Sequence, residues 1–191
     1  ATVTSPQVVE APEPSVADTA SVLADVPGGA NLGNGDISGE TQFRGLSSYR
    51  NDVRIDGMGI TSGGPNWMDP PLHYAPAAIV EDVTVTRGVT SVADSVDHIG
   101  TTVDARTRKS RYRTGSGYGL GGRLDSTLRS VNNSHTVAGQ AEVSNDSNRI
   151  GVTGVTDGAS DTQTPYGRIR ASSYQRDQYG LDFGHLDAHG E

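Results

Sequence analysis

A strict alternation of apolar and polar residues in the second half of the chain constrains its fold more than any other feature. In "YGLGGRLDSTLR" the leucines Leu120, Leu124 and Leu128 take even positions, and the charged residues take odd positions. Period two is the spacing of a β-strand with one apolar and one polar face. Because residues 137–143 and 179–187 repeat the pattern, this half is predicted to be a β-meander of about five strands.

Two architectures fit strands of this kind. In an outer-membrane β-barrel the apolar face meets lipid and the polar face lines a wet lumen; in a soluble sandwich the apolar face is the buried one. Five strands cannot close a membrane barrel of useful size, and an open edge in lipid leaves backbone groups unpaired. Since the alternation continues almost to the terminal "DAHGE", we expect the chain to be a fragment.

Composition narrows the functional class. The net charge of −8 disfavours a nucleic-acid partner, which requires a basic face. The absence of cysteine excludes disulfides and thiolate ligands within these 191 residues. No apolar run has the length of a membrane-spanning helix. The first residues are small, polar and rich in proline, without the features of a signal peptide, so residues 1–14 are predicted to be a flexible segment.

The first half of the chain has a mixed pattern. Residues 15–28 are predicted to form a helix that Ser15 or Asp18 caps and that "PG" ends. A helical turn is expected at 91–97. Short strands are predicted at 41–46, 53–60, 81–88 and 99–108. The predicted fold class is therefore an α+β domain followed by antiparallel strands of a transmembrane β-barrel.

Several short motifs of the first half resemble a known family. They are Arg44-Gly45-Leu46, Ile55-Asp56-Gly57, Arg87-Gly88 and residues 100–103, in that order. Their order and spacing resemble the plug domain of TonB-dependent outer-membrane receptors. The resemblance implies a plug at 15–110, a linker at 111–116, which we expect to be solvated, and the first barrel strands at 117–191.

The resemblance also implies a function, namely energised uptake of a scarce ligand such as a metal ion or siderophore across the bacterial outer membrane. The plug would face the periplasm and gate the barrel. The partners would be the inner-membrane energy transducer TonB, outer-membrane lipid and the ligand, with no nucleic acid. No cofactor is expected, although copper or an iron chelate could be the transported ligand. The candidate TonB box consists of Thr2, Val3, Thr4, Val8 and Val9, which could add as a β-strand to the partner's sheet.

The segment "GGPNWMDPPLHYA" (63–75) contains the only tryptophan and a Pro-Pro pair, so it is predicted to be a loop. It resembles the apical plug loop of TonB-dependent copper receptors, in which a cysteine and a methionine bind the metal. Gly64 takes the place of that cysteine, which leaves Met68 and His73 as candidate metal ligands. An alternative is a rigid turn under which Trp67 and Met68 pack. The predicted ligand-contacting residues are Asn66, Trp67, Met68, Asp69, His73 and Tyr74.

Three charged residues, Arg44, Glu81 and Arg87, resemble plug charges that pair with the barrel wall and keep the plug seated. No set of nucleophile, base and acid stands out, so no enzymatic activity is predicted. Two other functions stay open on the sequence: a plug-like module of the periplasm or cell surface that binds a ligand without transporting it, and a secreted β-rich enzyme or adhesin.

Overall fold

The computed structural model describes residues 7–10, 17–33, 35–88 and 98–187. They separate into two compact units, with the division between Thr107 and Arg108. The predicted helical turn at 91–97, the predicted cap Ser15 and the candidate TonB-box residues Thr2, Val3 and Thr4 lie outside the described residues.

The helical segments are short 3₁₀ turns. Where the sequence predicts a helix, residues Thr19–Asp25 form one such turn, and the Asp18 carboxylate caps it by accepting a hydrogen bond from the Ala20 amide at 3.0 Å. The described residues contain no α-helix, because proline and loop residues interrupt each segment within a turn or two. The helical part of the α+β class is therefore small. The other turns are Ser48–Arg50, Pro65–Trp67, Pro71–Tyr74 and Ala77–Ile79.

The first unit contains a mixed sheet and a separate hairpin. The sheet has the order β1-β6-β7-β4-β5, and β2 pairs with β3. Three predicted strand regions are confirmed, and the fourth, 53–60, is divided by a turn into β4 and β5. The prediction of a flexible segment at 1–14 is wrong for residues Gln7–Glu10, which pair with β6 as β1. β2 was not predicted because its "GANLG" sequence lacks alternation. The strands are β1 (Gln7–Glu10), β2 (Gly29–Gly33), β3 (Gly39–Phe43), β4 (Asp52–Ile55), β5 (Met58–Gly59), β6 (Val80–Thr86) and β7 (Thr102–Thr107).

A single apolar core lies against the mixed sheet of the first unit. The 3₁₀ turns contribute leucines to it, and β3, β6 and β7 contribute an aromatic ring and valines. Burial of such side chains supplies the main stabilisation of a soluble domain. Its fully buried members include Leu23, Phe43, Leu72, Val80, Val83, Val85 and Val103.

Asn51 connects three segments of this unit. Its buried amide group donates hydrogen bonds to the carbonyl oxygens of Thr41 at 3.1 Å and Leu46 at 2.8 Å. Its Oδ1 accepts a hydrogen bond from the Thr101 amide at 3.2 Å. One side chain thereby satisfies backbone groups within β3, after β3 and just before β7.

The Ile55-Asp56-Gly57 motif forms a two-residue hairpin turn between β4 and β5. Asp56 and Gly57 both have positive φ angles, 54° and 76°, as a type I′ turn requires. The Asp56 carboxylate also accepts hydrogen bonds from the Thr107 amide at 2.9 Å and hydroxyl at 2.6 Å. The motif therefore fixes the end of β7, where the first unit ends.

The second unit is a four-stranded antiparallel meander with a small two-stranded ribbon. The long strands have the order β13-β10-β9-β8, so four long strands stand where the alternation predicts about five. The ribbon lies between β10 and β13. The elements are β8 (Gly119–Arg129), β9 (Ser134–Ser144), β10 (Asn148–Ala159), β11 (Gln163–Thr164), β12 (Gly167–Arg168) and β13 (Tyr174–His185).

The two faces of the meander differ as the alternation predicts. Register aligns Leu120, Val143, Ile150 and Phe183 in one row across the four strands, and all four side chains are exposed. The opposite face holds polar side chains, several of them buried. Among the described residues, no helix is both long and apolar enough to span a membrane.

Candidate functional site

The loop at 63–75 is closed at its base by backbone pairing. The Gly63 amide donates to the Asp69 carbonyl oxygen at 3.1 Å, and the Asp69 amide donates back to the Gly63 carbonyl oxygen at 3.3 Å. The Ser62 hydroxyl donates to the same Asp69 oxygen at 2.8 Å. The five residues between Gly63 and Asp69 form a closed tip, which presents residues 64–68.

The tip has an unusual backbone. Gly64 has φ 70° and ψ 168°, a region that essentially only glycine adopts. Asn66 and Trp67 have φ angles of 55° and 58°. Asparagine tolerates the left-handed region, but a tryptophan there costs about 1–2 kcal/mol. Strain of this kind is retained where the surrounding structure and function require a particular conformation.

The tip exposes its side chains unequally. Met68 is 57% exposed and therefore does not pack beneath the turn, as the alternative interpretation of the loop would require. Asn66 is exposed, whereas Trp67 and Asp69 are half-buried. Tyr74 is exposed as a whole, and its hydroxyl lies 2.6 Å from where a Cβ on Gly63 would stand.

The second half of the loop is anchored in the core. Pro70, Pro71 and Leu72 are buried. His73 is half-buried, and its Nδ1 lies 2.9 Å from the Ile37 carbonyl oxygen. Its ring meets the Tyr74 ring edge-on, with 5.5 Å between centroids. The sequence gives no indication of the contact between His73 and Ile37, because the two residues are far apart along the chain.

The candidate metal ligands have different surroundings. Met68 presents its thioether to solvent, while one ring nitrogen of His73 is engaged with backbone. The described residues contain no group of three or more His, Cys, Asp or Glu side chains with the geometry of a metal site. A Cβ on Gly64 would lie 3.1 Å from Asp69 Oδ2. The loop backbone is thus adapted to glycine at the position of the copper-receptor cysteine.

The three candidate seating charges lie apart in sequence and differ in environment. Arg44 is exposed, with φ 49°, and its guanidinium carbon stands 5.3 Å from the centroid of the buried Phe43 ring. Glu81 is exposed on β6. Arg87, just beyond β6, is half-buried, and its Nε is enclosed without a hydrogen-bond partner among the described residues.

Two candidate TonB-box residues lie within the sheet of the first unit. Val8 and Val9 belong to β1, which pairs antiparallel with β6, opposite Thr84 and Val83. β1 is an edge strand of the five-stranded sheet. One edge of the backbone at these two residues is therefore already paired with β6.

Comparisons with known proteins agree with this fold. The family model described as "TonB-dependent Receptor Plug Domain" matches residues 1–102. No curated protein matches the chain.

Solved structures similar to the chain include three transport proteins. The copper transporter OprC has 21% identity and a TM-score of 0.79 over 94% of this chain. The FrpB iron transporter from Neisseria meningitidis (F3-3 variant) has 14% identity and a TM-score of 0.78 over 99%. A double mutant of the Serratia marcescens hemophore receptor HasR, in complex with its hemophore HasA and heme, has 17% identity and a TM-score of 0.84 over 98%.

The chain spans 28% of the OprC chain and 30% of each of the other two. At these identities the likeness concerns the fold alone. The family model, however, covers more than half of the 191 residues, including β1 to β6 and the motifs as far as Arg87-Gly88. The chain therefore belongs to the family of TonB-dependent receptors that carry a plug domain.

Proposed function

We propose that this chain is the plug and the first barrel strands of an outer-membrane receptor that takes up a metal ion or metal chelate with energy supplied through TonB. One observation carries the proposal: a plug domain with a soluble-type core is followed directly by strands whose large hydrophobic side chains face outward. A barrel wall in lipid requires that arrangement, and a soluble sandwich would bury the same face.

The open sheet supports a larger assembly. Strands in lipid must satisfy every backbone group, so the edges at β8 and β13 need further strands. The solved structures that match have more than three times the length of this chain. In the complete receptor, additional strands would close the barrel around the plug.

The loop at 63–75 is the proposed ligand-contacting site. Its closed, strained tip holds Asn66, Trp67 and Met68 in a fixed conformation, which lowers the entropy cost of binding. Asp69, His73 and Tyr74 complete the proposed site behind it. Met68 offers a thioether, a soft ligand of the kind that copper(I) prefers.

The ligand class follows from this chemistry and from the relatives. OprC is described as a copper transporter, FrpB as an iron transporter, and HasR was solved with its hemophore and heme. With glycine at position 64, a single thioether makes a weak site for a bare copper ion. An iron chelate, whose metal already has its ligands, could instead use aromatic and polar contacts from Trp67, Asn66 and Tyr74.

The charges on the plug have a proposed mechanical role. The enclosed Nε of Arg87 needs a hydrogen-bond acceptor, since an unsatisfied buried donor is costly. A carboxylate on the barrel wall of the complete receptor would supply one, and Arg44 and Glu81 would form further pairs. Such pairs would hold the plug in place until TonB acts.

The partner contact is proposed at the N-terminal segment. TonB would add a strand to residues within 1–14, through main-chain hydrogen bonds. Because β1 already pairs with β6, Val8 and Val9 can offer only their outer edge unless β1 leaves the sheet.

Uptake in cells tests the proposed function. The complete receptor that contains this chain is expressed in a bacterium that lacks its own copper and iron receptors, and accumulation of ⁶⁴Cu, ⁵⁵Fe-citrate and ⁵⁵Fe-heme is measured. We expect accumulation of one probe that disappears when TonB is deleted. Equal accumulation of all three with and without TonB would overturn the proposal and favour a module that binds without transport.

Copper binding to the loop has its own test, for which the chain supplies a matched control. Met58 and Met68 are the only methionines, and both are exposed. We expect Met68→Ala to weaken copper(I) binding at least about tenfold in a chelator competition assay and Met58→Ala to leave it unchanged. Equal weak binding by both variants and the unmodified chain would exclude copper as the ligand of this loop.

A further inference from the structure

Residues 108–113 lie across the polar face of the second unit's sheet, and the last three of them belong to the predicted linker at 111–116. Ser110 is buried, and its amide donates to Asp182 Oδ2 at 3.1 Å, while its hydroxyl donates to the same carboxylate. Arg149 Nη1 donates to the Ser110 carbonyl oxygen at 2.9 Å and to Asp182 Oδ2 at 3.0 Å. An ion pair between β10 and β13 therefore holds the backbone of Ser110 from both sides.

The residues after Ser110 continue these contacts. The Arg111 amide donates to Glu142 Oε2 at 3.1 Å, so the segment is also attached to β9. The Tyr112 ring lies against Arg149, with 5.1 Å between the ring centroid and Cζ. The Arg113 amide donates to the Asn145 carbonyl oxygen at 2.9 Å.

The Arg113 side chain reaches the remaining long strand. Its Nη2 donates to the Leu120 carbonyl oxygen at 3.0 Å. All four long strands therefore contact the segment, through Leu120, Glu142, Arg149 and Asp182. Amides and side chains both contribute, so the contact does not depend on one ion pair.

Glycines in the sheet make room for the segment. A Cβ on Gly151 would lie 2.5 Å from Asp182 Oδ1 and 2.9 Å from Ser110 Cβ, and one on Gly184 would lie 2.5 Å from both the Tyr112 hydroxyl and Arg149 Nε. Strand register aligns Gly121, Glu142, Gly151 and Asp182 in one row across all four strands. Glycine inside a strand weakens it and often marks a close backbone approach. Here the approaching backbone is that of residues 108–113.

We infer that residues 108–113 form a strap that is anchored in a glycine-lined seat on the polar face of the sheet. The strap belongs to the second unit and fixes the chain at the point where the first unit ends. Its functional meaning rests on the proposed function. If TonB pulls the N-terminal segment, the strap stops the displacement at residue 108, so the rearrangement of the plug must occur within residues 1–107.

Amide hydrogen exchange tests the strap directly. In the full chain in dodecylmaltoside micelles, we expect the Ser110 and Arg113 amides to exchange at least about 100-fold more slowly than unstructured amides. Exchange at the unprotected rate in the unmodified chain would overturn the inference. Because the measurement involves neither ligand nor transport, its outcome is independent of the uptake experiment.

A pair of glycine variants tests the seat. A Cβ on Gly151 would press against Ser110 and against Asp182 Oδ1, whose carboxylate anchors Ser110. We therefore expect Gly151→Ala to accelerate exchange at Ser110 at least about tenfold. Gly180→Ala on β13 is the control, because its nearest neighbour is Thr153 Cβ at 4.0 Å. Equal exchange in the two variants would refute the seat.

Amides that pair β9 with β10 report whether each variant keeps the sheet. If Gly151→Ala disturbs them, Asp182→Asn replaces it, since this change keeps the shape and removes the charge that Arg149 and Ser110 share. We then expect faster exchange at Ser110 with the β9–β10 amides unchanged. Unaltered exchange at Ser110 in Asp182→Asn would contradict the inference.

Discussion

The two units of the chain bury opposite kinds of side chain. In the first unit a cluster of leucines and valines is inside, as with Leu72 at 1% exposure, while Leu32 is exposed. In the second unit the largest apolar side chains point outward, as with Leu128 at 83%, while Ser144 and Asp157 on the other face are buried. Both units consist mainly of antiparallel strands, so the difference does not arise from the type of secondary structure.

The contrast indicates that the two units are built for different solvents. A face that is removed from water is stabilised by the hydrophobic effect, and the first unit achieves this by folding on itself. The second unit does not cover its apolar face with its own residues, and we propose that lipid covers it. Four predictions test the contrast or the polar structures that accompany it, from the largest expected effect to the smallest.

Truncating a leucine should have very different consequences in the two units. We expect Leu72→Ala to lower the free energy of unfolding of the first unit by about 2–5 kcal/mol, because it opens a cavity in the core. Leu124→Ala should change the free energy of unfolding of the second unit by less than about 0.5 kcal/mol in water. Urea unfolding followed by Trp67 fluorescence measures the first unit, which contains the only tryptophan, and hydrogen exchange of the amides that pair β8 with β9 in urea measures the second. Similar losses in both variants would contradict the account.

Replacing Asn51 tests the polar connection inside the first unit. Asn51→Asp removes the two donors to the Thr41 and Leu46 carbonyl oxygens, and each oxygen left unsatisfied costs about 1–3 kcal/mol. Asn66→Asp is the control, because Asn66 is exposed and aspartate tolerates its positive φ. If both variants unfold at the same urea concentration, Asn51 does not have the proposed structural role.

The strained backbone of the loop at 63–75 predicts a smaller effect on stability. Gly64→Ala places a side chain in a region reserved for glycine and should cost about 1–3 kcal/mol. Gly59→Ala should be nearly neutral, since a Cβ there would meet nothing within 4 Å. Thermal unfolding of the two variants gives the comparison. An unchanged melting temperature for Gly64→Ala would show that the tip is not constrained as described.

The smallest expected effect is a loss of local stability in the β11–β12 ribbon of the second unit when the pH is lowered. Desolvation raises the pKa of Asp161, but hydrogen bonds from the Ser173 and Ser172 amides and from Arg168 outweigh it and hold this pKa below the ordinary 3.8. A depressed carboxylate pKa stabilises the fold above pH 3.8 and loses that effect as the pH falls through the folded-state pKa.

Exchange at the Ser172 and Ser173 amides should therefore accelerate below pH 3.8 beyond the intrinsic pH dependence of exchange. Asp161→Asn should remove that additional acceleration. A pH profile that is the same in the variant and the unmodified chain would exclude Asp161 as its cause.

The alternating and motif-rich parts of the fold were predictable from sequence. Period two predicted the long strands and their two unlike faces, whereas residues 53–60 were predicted as a strand and the turn formed by Asp56 and Gly57 was not predicted. The strand β2 and the 3₁₀ character of Thr19–Asp25 were not predictable, because tertiary contacts rather than propensity determine them.

The candidate site was predictable as a loop but not in its conformation. Proline and glycine marked residues 63–75 as irregular, whereas the positive φ of Trp67 and the contact of His73 with Ile37 depend on residues distant in sequence. From the sequence alone, Gly64 was interpreted as the replacement of a metal-binding cysteine. Its φ of 70° shows that it also has a backbone role.

Spin labelling along β8 tests the central claim most directly. This chain contains no cysteine, so single cysteines at residues 120–128 can carry a nitroxide in the complete receptor in phosphatidylcholine vesicles. Collisions with oxygen report lipid, and collisions with a water-soluble nickel chelate report water. The account predicts that even positions such as Leu124 favour oxygen and odd positions such as Thr127 do not, with period two. Even positions that favour the nickel chelate, or no alternation at all, would contradict it.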